Sequence, residues 1–266
     1  MNREEKIKYL LKAEHYTNDD LILIMQLLRG EGGCPWDREQ THKSIRNNLL
    51  EETYEVIEAI DTENSELLRE ELGDLLLQVV FHAQMEAEAG NFTFNDVADE
   101  ICRKLIHRHP HIFSDIQVSG TEQVLSNWEE IKNKEKSRER VTDRLRAVPR
   151  MLPALMRGAK VGKRASCFDF PSADAVMDKV YEEADEVKAA LATGDISKID
   201  EEIGDLLLTV SSLARHAGVD PEGAMMRATD KFIDRFEVLE EQVIAAGLDI
   251  NKMTMDELDA IWEKNK

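Results

Sequence analysis

The sequence predicts an all-α protein made of tandem duplicated helical-bundle domains. Three observations carry that expectation. Apolar residues recur at helical spacing almost throughout, as in Leu21, Ile24, Met25 and Leu28, or Leu72, Leu75, Leu76 and Val79. Only 13 Gly and 6 Pro punctuate 266 residues, and no sustained alternation of Val, Ile and Thr marks a strand. Two acidic motifs recur 131 residues downstream with no gap between them.

The elements follow in order. Helices are expected over 4–13 and over 18–29, where Leu21–Leu28 forms one apolar stripe. The next two, 43–61 and 64–89, carry the first copy of the acidic motifs and are joined by a turn near Asp61–Ser65. A helix over 95–108 takes Asn95 as its N-cap and stops before Pro110. Another spans 121–136 with Thr121 as N-cap, lacking the Glu at position 124 that would complete a capping box. The second half repeats the scheme over 150–164, 172–192, 195–217, 221–246 and 254–264.

Charge restricts the function classes. Lys+Arg is 34 and Asp+Glu is 54, so the net charge is −20, which repels a phosphate backbone and argues against a nucleic-acid partner. With 42% hydrophobic and 33% charged residues the composition is globular, and no apolar run approaches the ~20 residues of a bilayer span. The segment Met1-Asn2-Arg3-Glu4-Glu5-Lys6 lacks a signal peptide's apolar stretch, so a cytoplasmic location is expected. Cys34, Cys102 and Cys167 are scattered and form no C-x-x-C pair, which argues against disulfides and a zinc knuckle. His107, His109 and His111 alternate at i, i+2 and share no helix face, so they make a poor zinc tract.

Glu51-Glu52-Thr53-Tyr54-Glu55 returns as Glu182-Glu183-Ala184-Asp185-Glu186. Glu71-Leu72-Gly73-Asp74-Leu75-Leu76-Leu77 returns as Glu202-Ile203-Gly204-Asp205-Leu206-Leu207-Leu208. Cys34-Pro35-Trp36-Asp37 echoes Cys167-Phe168-Asp169, Lys104 and Arg108 echo Lys231 and Arg235, and Trp128-Glu129 echoes Trp262-Glu263. The expected domains are 1–135 and 150–266, with a basic linker over 136–149. Residues 132–164 hold twelve Lys/Arg against Glu135, Glu139 and Asp143, a local charge of +9. They read either as a solvated linker leading into an amphipathic helix or as a strip facing a phosphate or a partner.

The acids suggest chemistry. Glu52 and Glu55 are i, i+3 on one helix, and Glu71 and Asp74 are i, i+3 on the next. Antiparallel pairing across the short turn gathers four carboxylates, which repel one another and require a cation. Hard oxygen ligands select Mg²⁺, Mn²⁺ or Ca²⁺ over zinc. Glu71 and Asp74 also interrupt the apolar stretch Leu72, Leu75–Leu77 and Val79–Phe81, where unpartnered charge is costly.

E-E-x-x-E followed by E-x-x-D with Gly-Asp-Leu-Leu resembles the MazG family of nucleoside triphosphate pyrophosphohydrolases, within the all-α NTP pyrophosphatase superfamily. The resemblance extends to Gly33-Cys34-Pro35-Trp36-Asp37, Gln40-Thr41-His42, Arg108-His109-Pro110-His111-Ile112-Phe113 and Leu152-Pro153-Ala154-Leu155. It implies a homodimer surrounding the site, Mg²⁺ dependence with Mn²⁺ as a possible substitute, and hydrolysis of a nucleoside triphosphate to monophosphate and pyrophosphate. It places metal ligands at Glu183, Glu186, Glu202 and Asp205, with Glu52, Glu55, Glu71 and Asp74 as the first-half equivalents. It places nucleotide contacts at Lys179, Lys198, Lys231, Arg235 and Trp262, with Lys104, Arg108 and Trp128 as their first-half counterparts. Glu182 or Glu183 is the expected group orienting the attacking water.

The halves differ in their cations. At the 131-residue offset Lys179 corresponds to Asn48 and Lys198 to Leu67, so the second half is expected to carry most of the catalysis, unless Lys43, Arg46 or Arg69 compensates. Two other readings compete: an acidic helical module that binds a basic partner protein, and a relative restricted to dUTP or phosphoribosyl-ATP.

Overall fold

The computed structural model describes residues 1–114, 118–135 and 140–265. Fourteen α-helices and two short 3₁₀ turns make up the regular structure, and the described residues contain no strand. They fall into two compact units, Met1–Glu129 and Glu130–Lys266.

The first unit begins with α1 (Arg3–Lys12) and α2 (Asn18–Arg29). A short α3 (Pro35–Glu39) follows, then α4 (Arg46–Asp61), α5 (Ser65–Glu88), α6 (Phe94–Arg108) and a single turn α7 (Pro110–Phe113); α8 (Thr121–Glu135) begins in this unit and runs across its boundary. The core is Met25, Ile45, Val80, Phe81 and Met85, flanked by Leu21, Leu28, Leu76 and Phe94. Arg29 fastens the irregular segment after α2 to this core. Its Nη2 lies 2.8 Å from Glu88, its Nη1 donates to the Asp37 and Gln40 carbonyls, and its guanidinium covers the Phe81 ring at 5.3 Å. His42 adds a second fastening: its Nε2 is 2.8 Å from Glu86 and its ring stacks on His82.

The second unit contains α9 (Val141–Arg146), α10 (Ala154–Arg164), α11 (Ala173–Thr193), α12 (Ile196–His216), α13 (Pro221–Ala245) and α14 (Met255–Trp262). Two glycines let α10 approach α12 closely. A Cβ on Gly158 would meet Ser211 Oγ at 3.0 Å, and one on Gly162 would meet Arg215 Nε at 3.3 Å. The buried Ser211 hydroxyl donates to the Leu155 carbonyl at 2.8 Å, and the Glu222 carboxylate accepts from the Met156 amide at the start of α10. Asp169 is held by Arg215 at 2.6 Å and His216 at 3.0 Å, and these donors pull its carboxyl down to about 2.

Several boundaries differ from the sequence expectation. Thr93, not Asn95, caps α6, because Thr93 and Asp96 complete a capping box and leave Asn95 inside the helix. Thr121 is the first helical residue of α8 rather than its cap. The helix expected from 150 starts at Ala154, after Pro153, and the one expected from 43 starts at Arg46. The basic stretch 136–149 carries α9, and α3 and α7 were too short to show a period. Pro110 ends α6 and then opens α7, since proline suits a first helical turn.

The duplication is visible in the two turns that set the carboxylate helices. Between α11 and α12, Gly194 adopts a left-handed φ of 69° and Asp195 caps the next helix. The equivalent residues between α4 and α5 are Glu63, at φ 53°, and the cap Asn64. Glutamate carries a Cβ penalty there that glycine escapes. Glu63→Gly is therefore expected to stabilise the protein by about 1 kcal/mol, and Gly194→Ala to destabilise it by a similar amount. Urea denaturation midpoints of the two variants, moving in opposite directions, check this.

Candidate metal centre

Each acidic motif lies where two long antiparallel helices pack, α4 on α5 and α11 on α12. The i, i+3 spacing turns two glutamates of the first helix toward one of the second. Glu52, Glu55 and Glu71 each bring a carboxylate oxygen within 4.8 Å of the others. Glu183, Glu186 and Glu202 do the same in the second unit. Among the described residues no other group of His, Cys, Asp or Glu converges in this way.

The fourth expected ligands, Asp74 and Asp205, are outside these trios. Each stands exposed at i+3 from its glutamate, on a side chain one methylene shorter. Asp74 still acts electrostatically on Glu52 and Glu71. Glu182 also lies outside its trio, exposed on α11.

Repulsion is evident in the proton affinities. Burial, followed by the Asp74 and Glu55 charges, holds the Glu52 carboxyl above the ordinary range. Burial and then the Glu55, Glu70 and Asp74 charges do so for Glu71. Glu186 is raised by burial and by Glu183, against an opposing pull from Lys179.

The trios are partnered differently. Glu183 is 5% exposed, and a carboxylate that deep requires a partner. Lys179, one turn earlier on α11, places its Nζ 2.9 Å from Glu183 and 2.8 Å from Glu182. The two carboxylates hold this ammonium well above the ordinary lysine range. In the first unit Asn48 occupies the corresponding place, and the contact to Glu52 comes instead from Gln78 Nε2 at 3.5 Å. Gln78 is buried and its Oε1 has no hydrogen-bond partner. Sequence reasoning missed Gln78, although a polar side chain between Leu75–Leu77 and Val79–Phe81 was a usable signal; its second-half equivalent is the buried Thr209.

The remaining candidates form arginine–aromatic pairs. The Arg235 guanidinium lies 5.2 Å from the Trp262 ring centroid, and Trp262 also packs on Phe232 at 5.3 Å. Arg108 lies 5.3 Å from Trp128 in the first unit, where it is buried. Trp262 thus has the helix-packing contacts of an ordinary aromatic as well as a partly covered face. Lys231 and Lys198 are exposed on α13 and on the first turn of α12, and Lys104 pairs with Glu100 at 3.5 Å. Of the histidines, His109 Nδ1 contacts the Leu105 carbonyl at 2.7 Å and its ring is tilted against that of His111 at 5.7 Å, with no zinc-like convergence among the described residues.

A family model for the MazG nucleotide pyrophosphohydrolase domain matches this chain twice, over residues 40–113 and 172–239. The chain is 46% identical over 253 residues to a nucleoside triphosphate pyrophosphohydrolase of Escherichia coli (strain K12), covering 93% of this chain and 96% of that one. It is 42% identical over 250 residues to a nucleoside triphosphate pyrophosphohydrolase/pyrophosphatase MazG of Thermotoga maritima, covering 93% and 95%. An uncharacterized protein, YabN, of Bacillus subtilis is 39% identical over 267 residues, 99% of this chain and 53% of that one.

Crowded carboxylates destabilise the metal-free protein at neutral pH. A carboxyl raised above its unfolded value opposes folding once ionised, and the penalty fades as pH falls through the raised value. Glu52→Gln is therefore expected to raise Tm in the presence of a chelator at pH 7. The difference should shrink toward pH 5; a thermal melt series over that range checks it.

Proposed function

The chain belongs to the MazG nucleotide pyrophosphohydrolase family, and from that premise we propose that it is a Mg²⁺-dependent enzyme converting nucleoside triphosphates to monophosphates and pyrophosphate in the cytoplasm. The observation that carries this is the glutamate trio between α11 and α12, with the buried Glu183 at its base. Three carboxylate oxygens within 4.8 Å of one another form a hard, anionic donor set that fits Mg²⁺ or Mn²⁺ and leaves coordination positions for phosphate oxygens and water. The buried Glu183 also disfavours the alternative of an acidic protein-binding face, which would present its charges to solvent. Among the described residues no helix is long and apolar enough to cross a membrane.

A bound metal would polarise the phosphate oxygens and acidify a nearby water. The protein's own residues do the rest. Glu183, Glu186 and Glu202 hold the cation, with Asp205 within one turn of Glu202. Lys179, Lys198, Lys231 and Arg235 neutralise the triphosphate, which carries about four negative charges. Lys231 and Arg235, i, i+4 on α13, grip phosphate from one helix, and Trp262 offers an apolar surface to the base. Glu182 or Glu183 orients the attacking water and takes its proton; we favour Glu182, which lies outside the trio. Attack at the α-phosphorus expels pyrophosphate.

We assign the main catalytic role to the second half. Both halves keep a trio, but among the described residues the second alone sets a lysine against it. Each charge-assisted phosphate contact contributes roughly 1.5–3 kcal/mol, so a half lacking two lysines binds nucleotide about a hundredfold more weakly or worse. In a mixed NTP assay with Mg²⁺ the expected products are NMP and pyrophosphate. Glu202→Ala should abolish most of the turnover, and Glu71→Ala should spare most of it. NDP and orthophosphate would overturn the reaction assignment, and the reverse mutant ranking the catalytic assignment.

The same reading includes a homodimer. Ile203, Leu207, Leu208 and Val210 of α12 and Phe232, Ile233 and Phe236 of α13 are 40–57% exposed, which leaves apolar surface on the helices that carry the site. Symmetric pairing of bundles is the common way to cover such a face. Sedimentation at micromolar concentration should show a species of twice the chain mass, and Leu207→Lys should shift it toward monomer.

A further inference from the structure

Lys179 is the cation that the metal-free trio already contains. It donates to Glu183, the most buried of the three acids, and to Glu182, the exposed carboxylate beside it. A cation at the trio competes with this ammonium for the charge of Glu183. The same ammonium is one of the charges that the triphosphate needs. One side chain therefore has two competing anionic partners, and how it divides between them depends on what else is bound.

We propose that Lys179 is a resident counter-ion of the second centre that couples metal and triphosphate binding: it competes with the divalent cation while paired to Glu183, and the nucleotide's phosphates draw it off. This rests on the metal-dependent reading above. Linkage then makes the effect reciprocal: nucleotide raises metal affinity by the factor by which metal raises nucleotide affinity. The first centre lacks the device. Asn48 carries no charge, and the Gln78 amide that reaches Glu52 is neutral, so among the described residues no resident cation need leave when a metal ion arrives. The second centre thereby has one unit of its charge cancelled before metal binds and favours the metal–nucleotide complex over the bare ion.

The test is Mn²⁺ binding, read by calorimetry and by loss of the free-ion electron spin resonance signal. It uses the full chain carrying Glu71→Gln so that the second centre dominates. Lys179→Met is expected to bind bare Mn²⁺ about tenfold more tightly than the Lys179 protein, the equivalent of one charge-assisted hydrogen bond removed from competition. With the α,β-methylene analogue of ATP present, Mn²⁺ affinity should rise in both, by a factor about tenfold smaller in Lys179→Met. Lys179→Gln, which keeps a donor to Glu183 without charge, should behave like Lys179→Met and guards against a folding defect. Lys179→Arg should retain the weak bare-ion affinity. Equal or weaker bare Mn²⁺ binding in both neutral variants would overturn the proposal while leaving the metal site standing. Absence of Mn²⁺ binding in every protein would overturn the metal reading and the proposal with it.

Discussion

Each unit is organised around carboxylates that repel one another. Two glutamates on one helix and one on its antiparallel neighbour are held within 4.8 Å, and burial strengthens their repulsion. Helices do not bring such groups together for stability. The arrangement persists because the short turns after α4 and α11 fix the register and because apolar contacts elsewhere hold the helix pairs. The left-handed residue in each turn, Glu63 or Gly194, is followed by an Asn or Asp cap, so a few residues set where the acids meet.

Duplication supplied two such centres, and divergence partnered them differently. The first relies on Gln78 and on carboxyls with raised proton affinity. The second relies on Lys179. A neutral amide leaves the charge of its trio unchanged, whereas an ammonium cancels one unit of it. That difference of one residue, Asn48 against Lys179, gives the second trio an ammonium where the first has a neutral amide. The arginine–tryptophan pairs, Arg108 with Trp128 and Arg235 with Trp262, diverged less and retain nearly the same separation.

The strong acidic balance of the chain makes the placement of cations decisive. Of the basic stretch 132–164, the part in α10 is a packing element. Its glycines face α12, Arg164 donates to the Arg144 carbonyl, and Lys160 and Lys163 stand in solvent. The cation that reaches the trio is instead Lys179 of α11, from within the second unit.

The sequence alone determined the helical class, the duplication, the acids and their i, i+3 faces, because helical periodicity and a gap-free repeat are local properties of the chain. It also singled out Lys179 as a difference between the halves. It misplaced the start of α6, since Thr93 and Asn95 are both good caps and only the reciprocal bond with Asp96 selects Thr93. It gave no sign of α3 or α9, which are shorter than a periodic signal requires. It grouped four carboxylates where the tertiary structure brings together three, because side-chain length and the angle between packed helices decide which oxygens converge. Only the tertiary structure decided that Gln78 turns to Glu52 and that Lys179 reaches Glu183. Those contacts depend on burial depth and inter-helix register, which no one-dimensional pattern records.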